Sequence, residues 1–489
     1  MEKSEQGLAG DDLENGGDYG IASFSEEAQT TEDLDDDGRP RRTGTFCTGT
    51  AHAITACIGS GVLSLAWAVA QLGWIAGPLV NLLFAVITFY TSVLLADSYR
   101  YMNPVSGKRL YTYMGAVKAY LGRMDTFVCG LVQYVNLFGV CIGYTITASV
   151  SMVAIKRVNC FHDRGRQADC HVSNILYMAI FGATQILFSQ IRDFAETWWL
   201  SVLATIMSFT YSGIGLGLIM AKLIGEGYIR GTLYGWPIGD MEDGYTTAQK
   251  TWKSLSALGD IAFAYGFTIV LFNIQDTLKS HPAENKTMRK ISLASILTCS
   301  IFYLSVGCAG YAAFGNHAPG NLLTDLGFLE PYWLLDIANV CIVIHLVGAY
   351  QIFAQPIFSF LESWILKRWP EKKFLHQRHK VSIYGIGTLQ LDIFRLVWRT
   401  IFVLITTLIA LLLPFFNSIM GLLGSLAFFP LSVYFPIRIY MKRTSTKTFT
   451  LKWWFLCALM VSCLLVSLAA ALGSFAGILQ DTKHYQPFN

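Results

Sequence analysis

The sequence predicts an all-α polytopic membrane protein in which the first and sixth helices are interrupted near mid-membrane. Hydrophobic residues make up 53% of the 489 residues and charged residues only 14%, whereas soluble proteins carry roughly 25% charged residues. Apolar stretches of spanning length, which takes roughly 20 residues, recur from Phe46 to the C-terminus. The alternating pattern of a β-barrel is absent. Glycines near the midpoints of two stretches predict the interruptions.

Residues 1–42 form a different kind of region. They hold 13 of the 33 acidic residues, including Asp35, Asp36 and Asp37, and few hydrophobic ones. Such a segment cannot bury enough apolar surface to fold by itself, so we expect a disordered, acidic, cytosolic tail. It lacks the basic and apolar regions of a cleaved signal peptide. A regulatory or trafficking role and a merely solvated tail both remain open.

The remaining chain is predicted to form a transmembrane domain of eleven helices over residues 43–480, followed by a short extracellular tail, 481–489. A polar connector with a short interfacial helix near Tyr113 is expected between the second and third spans. The predicted spans are 46–72, 74–99, 125–155, 173–190, 197–222, 254–278, 291–314, 332–362, 396–416, 418–437 and 453–479.

The orientation follows from the distribution of lysine and arginine. These residues are more frequent in the segments on the side of the N-terminus, including the pairs at 367–368, 372–373 and 442–443. The positive-inside rule places that side in the cytosol. An odd number of spans then puts the C-terminus outside. The only N-x-S/T sequon, at Asn285, lies on the cytosolic side and is expected to stay unglycosylated.

The first interrupted helix contains the run Ile58-Gly59-Ser60-Gly61-Val62. Glycine lowers helix stability by roughly 1 kcal/mol against alanine, so two glycines at a midpoint favour unwinding. Unwound backbone at membrane depth is tolerated where it is buried in protein or lines a cavity. The helix N-terminus created there offers N–H groups to an anion. A packing seam of small residues is the alternative explanation.

The second interruption lies in the sixth span, where Gly266 follows Phe263, Ala264 and Tyr265, and Asp260 precedes them. The two breaks are five spans apart. Because five is odd, the second half would enter the membrane from the opposite face. Breaks at corresponding positions of two inverted halves point to the substrate site of a secondary transporter, and they favour this explanation over a packing seam.

Several stretches resemble plant amino acid permeases of the amino acid/auxin permease family. The resemblance covers about residues 43–489 and implies a leucine-transporter-type fold, with a 5+5 inverted repeat and an eleventh helix. It also implies proton-coupled uptake of amino acids across the plasma membrane. The matching stretches are Gly59–Ala68, Ala257–Tyr265, Ile274–Leu278, Gly310–Gly315, His345–Gln351 and Phe394–Thr400.

Three positions depart from this family pattern. Asn273 stands where many members have glutamate, and Arg438 stands where an acid is usual. Gly266 occupies a position that other residues hold in relatives. Because one intramembrane carboxylate is missing, the resemblance does not fix the substrate range.

The breaks predict a site for a zwitterionic amino acid. The N–H groups of Gly59, Ser60 and Gly61, with the Ser60 hydroxyl, are expected to bind the carboxylate, and freed carbonyls the ammonium. Aromatic residues near the breaks would shape the side-chain pocket, although ordinary core packing explains them equally well. The predicted substrate-binding residues are Ile58, Gly59, Ser60, Gly61, Val62, Tyr144, Phe263, Ala264, Tyr265 and Gly266.

Proton coupling requires a group that titrates inside the membrane, where ionisable residues are costly. His345 and Asp260 are the candidates, because histidine titrates near neutral pH and burial raises the pKa of a carboxyl. A structural hydrogen bond for His345 and a helix-end contact for Asp260 are the alternatives. Solvated or paired roles are expected for Asp97, Asp276 and Glu362 near the inner helix ends.

The eleven cysteines show no metal-ligand spacing, and no cofactor other than coupling protons is expected. We expect nine of them to pack as small residues in the core. Cys160 and Cys170 share the predicted outer loop, 156–172, where an oxidising environment favours a disulfide.

The function that fits these features is a proton–amino acid symporter, rather than an enzyme, working by alternating access in the plasma membrane. A transporter of another organic solute, such as an auxin-like acid, and a transporter-like amino acid sensor are the alternatives. A channel would need a selectivity-filter motif, and an enzyme would need a catalytic motif; neither is visible. The expected partners are the amino acid, H⁺ and the lipid bilayer, without nucleic acid. The oligomeric state stays open.

Overall fold

The computed structural model describes residues 34–39, 41–191, 198–235, 246–325, 327–376, 378–383 and 387–484. Within these ranges, nine helical segments are long and apolar enough to cross a membrane, and Asn174–Ser189 is a shorter apolar helix. The helices are α1 (Phe46–Cys57), α2 (Leu65–Ala96), α3 (Tyr113–Leu121), α4 (Arg123–Arg164), α5 (Asn174–Ser189), α6 (Trp198–Glu226), α7 (Thr247–Ala264), α8 (Leu271–Asp276), α9 (Glu284–Phe314), α10 (Tyr332–Arg368), α11 (Ile393–Leu412), α12 (Phe416–Ala427), α13 (Phe435–Arg443) and α14 (Leu451–His484).

Both predicted interruptions are confirmed. The first span consists of α1, a 3₁₀ turn over Ser60–Ser64 and the beginning of α2. The sixth span consists of α7, a 3₁₀ turn over Gly266–Val270 and α8. Each of these two spans begins with a threonine cap, Thr45 for α1 and Thr246 for α7, whose side chain accepts a hydrogen bond from the first helical turn.

A glycine separates the first span from the second. Gly73 has a φ of 81°, which ends the helical geometry inside α2 where the sequence predicted a boundary. A Cβ at this position would lie 2.1 Å from the backbone nitrogen of Gly235. Only glycine combines this positive φ with such a close approach of another chain segment.

The packing brings helices five spans apart into contact: α2 with α9, α4 with α10, and α5 with α11. These contacts are expected for an inverted repeat, which itself stays a prediction. The breaks lie near a close glycine contact between α7 and α12, where a Cβ on Gly424 would lie 2.1 Å from the carbonyl oxygen of Gly259. Small residues allow helix backbones to approach this closely in membranes.

The side on which α1 begins is called the N-side below. It also carries the connector between α2 and α3 and the loop between α8 and α9, because Gly44 donates to the carbonyl of Thr277 at 2.8 Å and Arg100 pairs with Glu284. The other side is called the far side. It carries the disulfide that joins Cys160 to Cys170, as the sequence predicted.

The structure differs from the predicted elements in four places. Helix α4 continues to Arg164, so Cys160 lies on a helix end rather than in a long loop. An antiparallel hairpin, β1 (Arg378–Ile383) and β2 (Gly387–Asp392), interrupts the expected all-α fold, because residues 378–392 combine alternating polar and apolar positions with a glycine. Asp35, Asp36, Asp37, Arg39 and Arg42 contact the helical domain rather than extending the acidic tail. Residues 1–33 lie outside the described part. At the other end, α14 runs to His484, past the predicted boundary at 480.

Candidate substrate site between two broken helices

A cavity lies between the two breaks, with about 50 Å³ of space for the centres of water-sized spheres. One water needs roughly 10–15 Å³ by this measure, so the space suits a few waters or the polar end of an amino acid. None of its lining residues carries a formal charge. The lining consists of Ala56, Cys57, Gly59, Gly61, Asn136, Val140, Tyr144, Ala262, Phe263, Ala264, Gly266, Phe267, Ile269, Val270, Phe353, Gly424, Ala427, Phe428 and Ser432.

The first break leaves backbone N–H groups beside this cavity. The first hydrogen bond of the 3₁₀ turn runs from the N–H of Val62 to the carbonyl of Gly59 at 3.3 Å. The N–H groups of Ser60 and Gly61 precede that bond and have no acceptor within the turn. The N–H of Gly59 donates to the carbonyl of Cys57 at 2.9 Å. The Gly59 N–H thus already has an acceptor, and its predicted contact with a substrate stays a prediction, whereas the N–H groups of Ser60 and Gly61 are better placed to bind one.

An aromatic ring packs closely against the glycine at position 61. A Cβ on Gly61 would lie 3.2 Å from Cδ1 of Phe263, which is tighter than ordinary van der Waals contact. A Cβ on Gly59 would lie 3.9 Å from the hydroxyl of Tyr144. The ring of Phe263 and the phenol of Tyr144 thus face the first break from α7 and α4, as the sequence predicted.

The second break presents a glycine edge to the cavity. A Cβ on Gly266 would meet no atom within 4 Å, so the backbone there borders open space. The side chain of Tyr265 points elsewhere, because its hydroxyl donates to Oδ1 of Asn81 on α2 at 2.6 Å and lies 3.0 Å from Oγ of Ser300 on α9. The prediction that Tyr265 shapes the side-chain pocket is wrong, since polar partners anchor it in the core.

Tyr303 on α9 connects the two breaks. Its hydroxyl lies 2.6 Å from the carbonyl oxygen of Cys57 and 2.9 Å from that of Ala264. Both carbonyls belong to backbone that the breaks remove from regular helices, so this donor offsets part of the cost of unwinding. A hydroxyl donates to one acceptor at a time, which leaves the other carbonyl able to accept from a ligand. No local sequence pattern marks Tyr303, because its partners come from distant spans.

The structure brings six of the ten predicted substrate-binding residues to the cavity wall: Gly59, Gly61, Tyr144, Phe263, Ala264 and Gly266. Ile58 and Val62 are fully buried and contribute backbone rather than lining side chains. Ser60 contributes backbone, and its side chain lies outside the described part. The sequence analysis missed the other lining residues, among them Asn136, Phe353, Phe428 and Ser432. Asn136 supplies a polar group from α4, and Ser432 supplies one from the π-helical segment Phe428–Tyr434 that follows α12. No sequence motif marks either residue.

His345 lies on α10, behind the first break rather than in the cavity. Its Nδ1 lies 3.2 Å from the carbonyl oxygen of Ala204 and 3.1 Å from Oγ of Ser208. A carbonyl only accepts, so the geometry favours a proton on Nδ1 and a lone pair on Nε2. The ring lies 6.0 Å from that of Tyr211, whose hydroxyl donates to the carbonyl of Ile58 at 3.4 Å. His345 thus reaches the break through one intermediate side chain.

Asp260 lies on α7, one turn before the second break. The residue is 1% exposed, and neither carboxyl oxygen has a hydrogen-bond partner among the described residues. Burying an unpaired carboxylate is costly, so such a group binds a proton or another cation more readily than a solvated one. Asp260 makes neither of the alternative contacts expected for it, a helix cap or an ion pair, in the described part of the chain.

The remaining acids considered in the spans have partners. Asp97 pairs with Arg289, Asp276 with Arg42 at 2.8 Å, and Glu362 with Arg399 at 2.8 Å. These pairs confirm the structural roles expected near the inner helix ends. Asn285 of the sequon is 5% exposed and its amide donates to Asp97 at 3.0 Å, so it is not free to accept a glycan.

A second space, the N-side vestibule, adjoins the cavity. It offers about 410 Å³ by the same measure and is lined by α3, α4, α8 and α10, including Lys118, Asn273 and Lys367. Ile269, Val270 and Phe353 line both the vestibule and the cavity. These three side chains therefore form the partition between the cavity and the N-side.

Comparison with known proteins agrees with this architecture. Residues 42–480 match the family model described as transmembrane amino acid transporter protein. Amino acid permease 3 of Arabidopsis thaliana is 54% identical over 455 residues, which cover 93% of this chain and 95% of that protein. Amino acid permease 1 of the same plant is 52% identical over 459 residues, 94% of each chain.

A solved transporter structure shares the fold. The crystal structure of MhsT in complex with L-phenylalanine matches with a TM-score of 0.51 at 9% identity. The match covers 89% of this chain and all of the other. At this identity the likeness shows the fold alone, and it confirms the leucine-transporter-type architecture predicted from the sequence.

Proposed function

The chain belongs to the transmembrane amino acid transporter family, and on this premise we propose that it is a proton-coupled amino acid symporter of the plasma membrane. One observation carries the proposal: two broken helices meet at a cavity that has free backbone dipoles but no charged lining side chain. A zwitterion has no net charge, and paired helix ends and carbonyls match its two poles without burying further ions.

The substrate carboxylate binds the N–H groups of Ser60 and Gly61 at the start of the 3₁₀ turn, where the helix dipole also favours negative charge. The ammonium binds the carbonyl of Cys57 or Ala264, whichever Tyr303 does not engage. The hydroxyl of Tyr144 and the amide of Asn136 offer further contacts across the cavity. Phe263, Phe353 and Phe428 bound the space for the side chain, which must move for a large substrate because the cavity is small.

Alternating access then requires the partition of Ile269, Val270 and Phe353 to open toward the N-side vestibule. On the far side, the contact between Phe263 and Gly61 has to separate. Ile269, Val270 and Gly61 lie on the two 3₁₀ turns, where the backbone has fewer helical hydrogen bonds to break, whereas Phe353 lies on α10. Movement of the broken segments around a fixed site is how such folds change access.

Coupling to protons is assigned to Asp260, with His345 as a second participant. An unpaired buried carboxyl next to a break takes up a proton when the far side is open and releases it when the N-side is open. Inward movement of one proton through 100 mV yields roughly 2.3 kcal/mol, which supports about 50-fold accumulation at one proton per substrate.

The cytosol is assigned to the N-side. The basic clusters near residues 367–373 and 442–443 lie on segments of that side. The disulfide between Cys160 and Cys170 lies on the far side, which suits an oxidising exterior.

Voltage-clamp recording of cells that express the full chain tests this function. We expect inward currents that require an amino acid and grow when the outer pH is lowered from 7.5 to 5. Radiolabelled uptake on the same cells then identifies the substrate. If the protein reaches the surface and neither current nor uptake appears with any amino acid, the proposal fails, and another solute or a sensing role replaces it.

The coupling assignment has its own test. Asp260→Asn is expected to leave amino acid exchange measurable but to remove the dependence of uptake on outer pH. Asp336→Asn is the matched control, because Asp336 is also an aspartate in a span but accepts a hydrogen bond from Asn159 at 2.8 Å. A pH dependence that survives in Asp260→Asn and disappears in His345→Gln would transfer the role to the histidine.

A further inference from the structure

A dense ionic cluster covers the N-side end of the transport core, outside the substrate site. It contains three arginines that are almost fully buried, Arg42, Arg100 and Arg109, with side-chain exposures of 8%, 5% and 1%. Arg42 lies in the segment before α1, which begins at Phe46, and the other two lie on the connector between α2 and α3. Buried guanidinium groups require compensating charge, so their partners determine what this region can do.

Arg42 joins the segment before α1 to the end of α8. Its Nη2 lies 2.8 Å from Oδ1 of Asp276, and its Nε donates to the Asp276 carbonyl at 2.6 Å. Nearby, Gly44 donates to Thr277 at 2.8 Å, and Lys279 donates back to Gly44 at 3.0 Å. A Cβ on Gly44 would lie 2.3 Å from the Thr277 carbonyl oxygen, so the two segments touch through their backbones.

Three consecutive aspartates then bind across this junction. Asp35 and Asp37 pair with Arg42 at 3.1 and 2.9 Å. Asp36 pairs with Arg100 at 2.8 Å and with Arg109 at 2.6 Å, while Asp37 also lies 3.0 Å from Arg109. The triplet therefore links the segment before α1 to the α2–α3 connector.

The triplet also reaches the loop before α9. Oγ of Ser280 donates to Asp35 at 3.1 Å. Glu284, at the first position of α9, pairs with Arg100 and Arg109 at 2.7 and 2.9 Å. Four separate segments of the N-side are thus held in one network.

The three aspartates supply negative charge that the buried arginines need and that water alone would not replace. Without them, three buried guanidinium groups would face only two carboxylates, those of Asp276 and Glu284. The side chains of Asp35 and Asp37 are only 10% and 11% exposed, so their contacts are shielded from water and salt. Shielded, charge-assisted contacts restrain motion more than surface ion pairs do.

We propose that Asp35–Asp37 form an acidic latch that fastens the segment before α1 to the α2–α3 connector and to the loop after α8, and thereby restrains opening of the substrate cavity toward the N-side. In the proposed transport cycle, α1 and α8 are the N-side halves of the two broken helices, and they must separate for release in that direction. Release of the latch removes these restraints without changing a cavity residue, whereas the contacts of Arg42 with Asp276 and of Gly44 with Thr277 stay in place. The segment before α1 would thereby control the rate of turnover. The group that binds the buried arginines is this chain's own acidic run rather than a separate partner.

The inference rests on the proposed alternating access, but its test needs no substrate. Cys57 lines the cavity, so its reaction with a membrane-impermeant maleimide applied to the N-side of oriented vesicles reports N-side opening. All variants are made in a parent protein in which serine replaces the more accessible free cysteines Cys47, Cys308 and Cys457. A further Cys57→Ser variant identifies the signal from Cys57.

Neutralising the latch in Asp35→Asn/Asp36→Asn/Asp37→Asn keeps the shape and removes the charges. We expect the labelling rate of Cys57 from the N-side to rise about tenfold, the population shift that loss of several charge-assisted contacts produces. Asp36→Asn alone, at a side chain that is 49% exposed, is expected to give a smaller rise and to fold even if the triple variant does not. Substrate turnover should rise in the same order.

The control is Glu371→Gln, which removes one exposed N-side charge near the end of α10. An unchanged labelling rate in folded Asp36→Asn and in the triple variant overturns the latch. An equal rise in Glu371→Gln also overturns it, because the effect would then come from general surface charge. A lack of amino acid currents combined with latch-dependent labelling would instead refute the transport proposal and keep the latch.

Discussion

The central cavity and the N-side cluster solve the same problem, polar groups inside a membrane protein, with opposite chemistry. The cavity uses backbone dipoles, phenols and an amide, and none of its lining residues carries a charge. The N-side cluster packs three arginines against five carboxylates, several of them at 2.6–3.1 Å. Dipoles can hold a neutral zwitterion and release it, whereas paired ions resist separation until water or another charge replaces the partner.

The difference has an energetic reason. A charged side chain in the cavity would be buried without a partner whenever the substrate leaves, which costs several kcal/mol. Free N–H and carbonyl groups cost less, and a few waters can satisfy them in the empty cavity. At the N-side, opening exposes the ions to solvent, so their hydration offsets the lost pairs. The two regions are therefore expected to respond differently to substitution.

The largest effect is expected from a substitution that fills the central cavity with a side chain. Gly61→Val places branched carbons where a single Cβ already lies 3.2 Å from Phe263. We expect amino acid uptake to fall by roughly 100-fold or more, because the ring and the 3₁₀ turn cannot both keep their positions. Uptake normalised to surface protein measures the effect.

Gly213→Val is the matched control. Gly213 lies on α6, is exposed, and a Cβ there would meet no atom within 4 Å. Near-normal uptake by Gly61→Val would mean that substrate does not pass the first break, and the site would have to lie elsewhere.

A smaller effect is expected when the hydroxyl that connects the two helix breaks is removed. Tyr303→Phe removes the donor of the Ala264 carbonyl, whereas the Cys57 carbonyl keeps the hydrogen bond from the N–H of Gly59. An unsatisfied buried polar group costs about 1–3 kcal/mol, so we expect the maximal rate to drop roughly tenfold. Because Tyr303 connects the two breaks, the loss should appear in the rate more than in KM.

Tyr144→Phe provides the comparison for that variant. The Tyr144 hydroxyl faces the cavity at Gly59 and connects no helix to another in the described contacts. We expect its loss to raise KM with little change in maximal rate. If both variants change KM alone, Tyr303 contacts substrate rather than coupling the breaks.

How far the sequence predicts each region also differs. Glycines inside apolar stretches revealed both breaks, because glycine's effect on a helix is local. The same local logic placed Gly61, Phe263 and Gly266 at the cavity. It misjudged Tyr265, since the direction of a side chain depends on partners such as Asn81 from another span. It missed Tyr303 for the same reason.

The N-side cluster was less predictable. A run of three aspartates in a segment poor in hydrophobic residues has the composition of a disordered tail. What orders it is a set of arginines up to about 70 residues away, which the composition of the segment does not contain. The hairpin β1–β2 was missed because short apolar alternation competes poorly with long helical signals. Long-range charge pairing is thus the part of this fold that local patterns reveal least.

The smallest expected effect concerns pH at the N-side. Burial by itself would raise the pKa values of Asp35 and Asp37, but hydrogen bonds from Arg42 and the charge of Arg109 lower both below the usual carboxyl range. A carboxyl with a lowered pKa contributes its contacts fully above its unfolded pKa of about 3.9 and loses them only as pH falls further. Asp35 and Asp37 are therefore charged throughout the neutral range. The ratio of Cys57 labelling between the triple variant and the parent should change less than about twofold from pH 8 to pH 6, and this ratio cancels the reactivity of the thiol itself. His281 is exposed and adjacent to Ser280, so the same ratio is also measured in the His281→Gln background. A ratio that falls toward one at pH 6 in both backgrounds would show that protons release the aspartates, and the N-side cluster would then be a pH switch rather than a latch that stays charged.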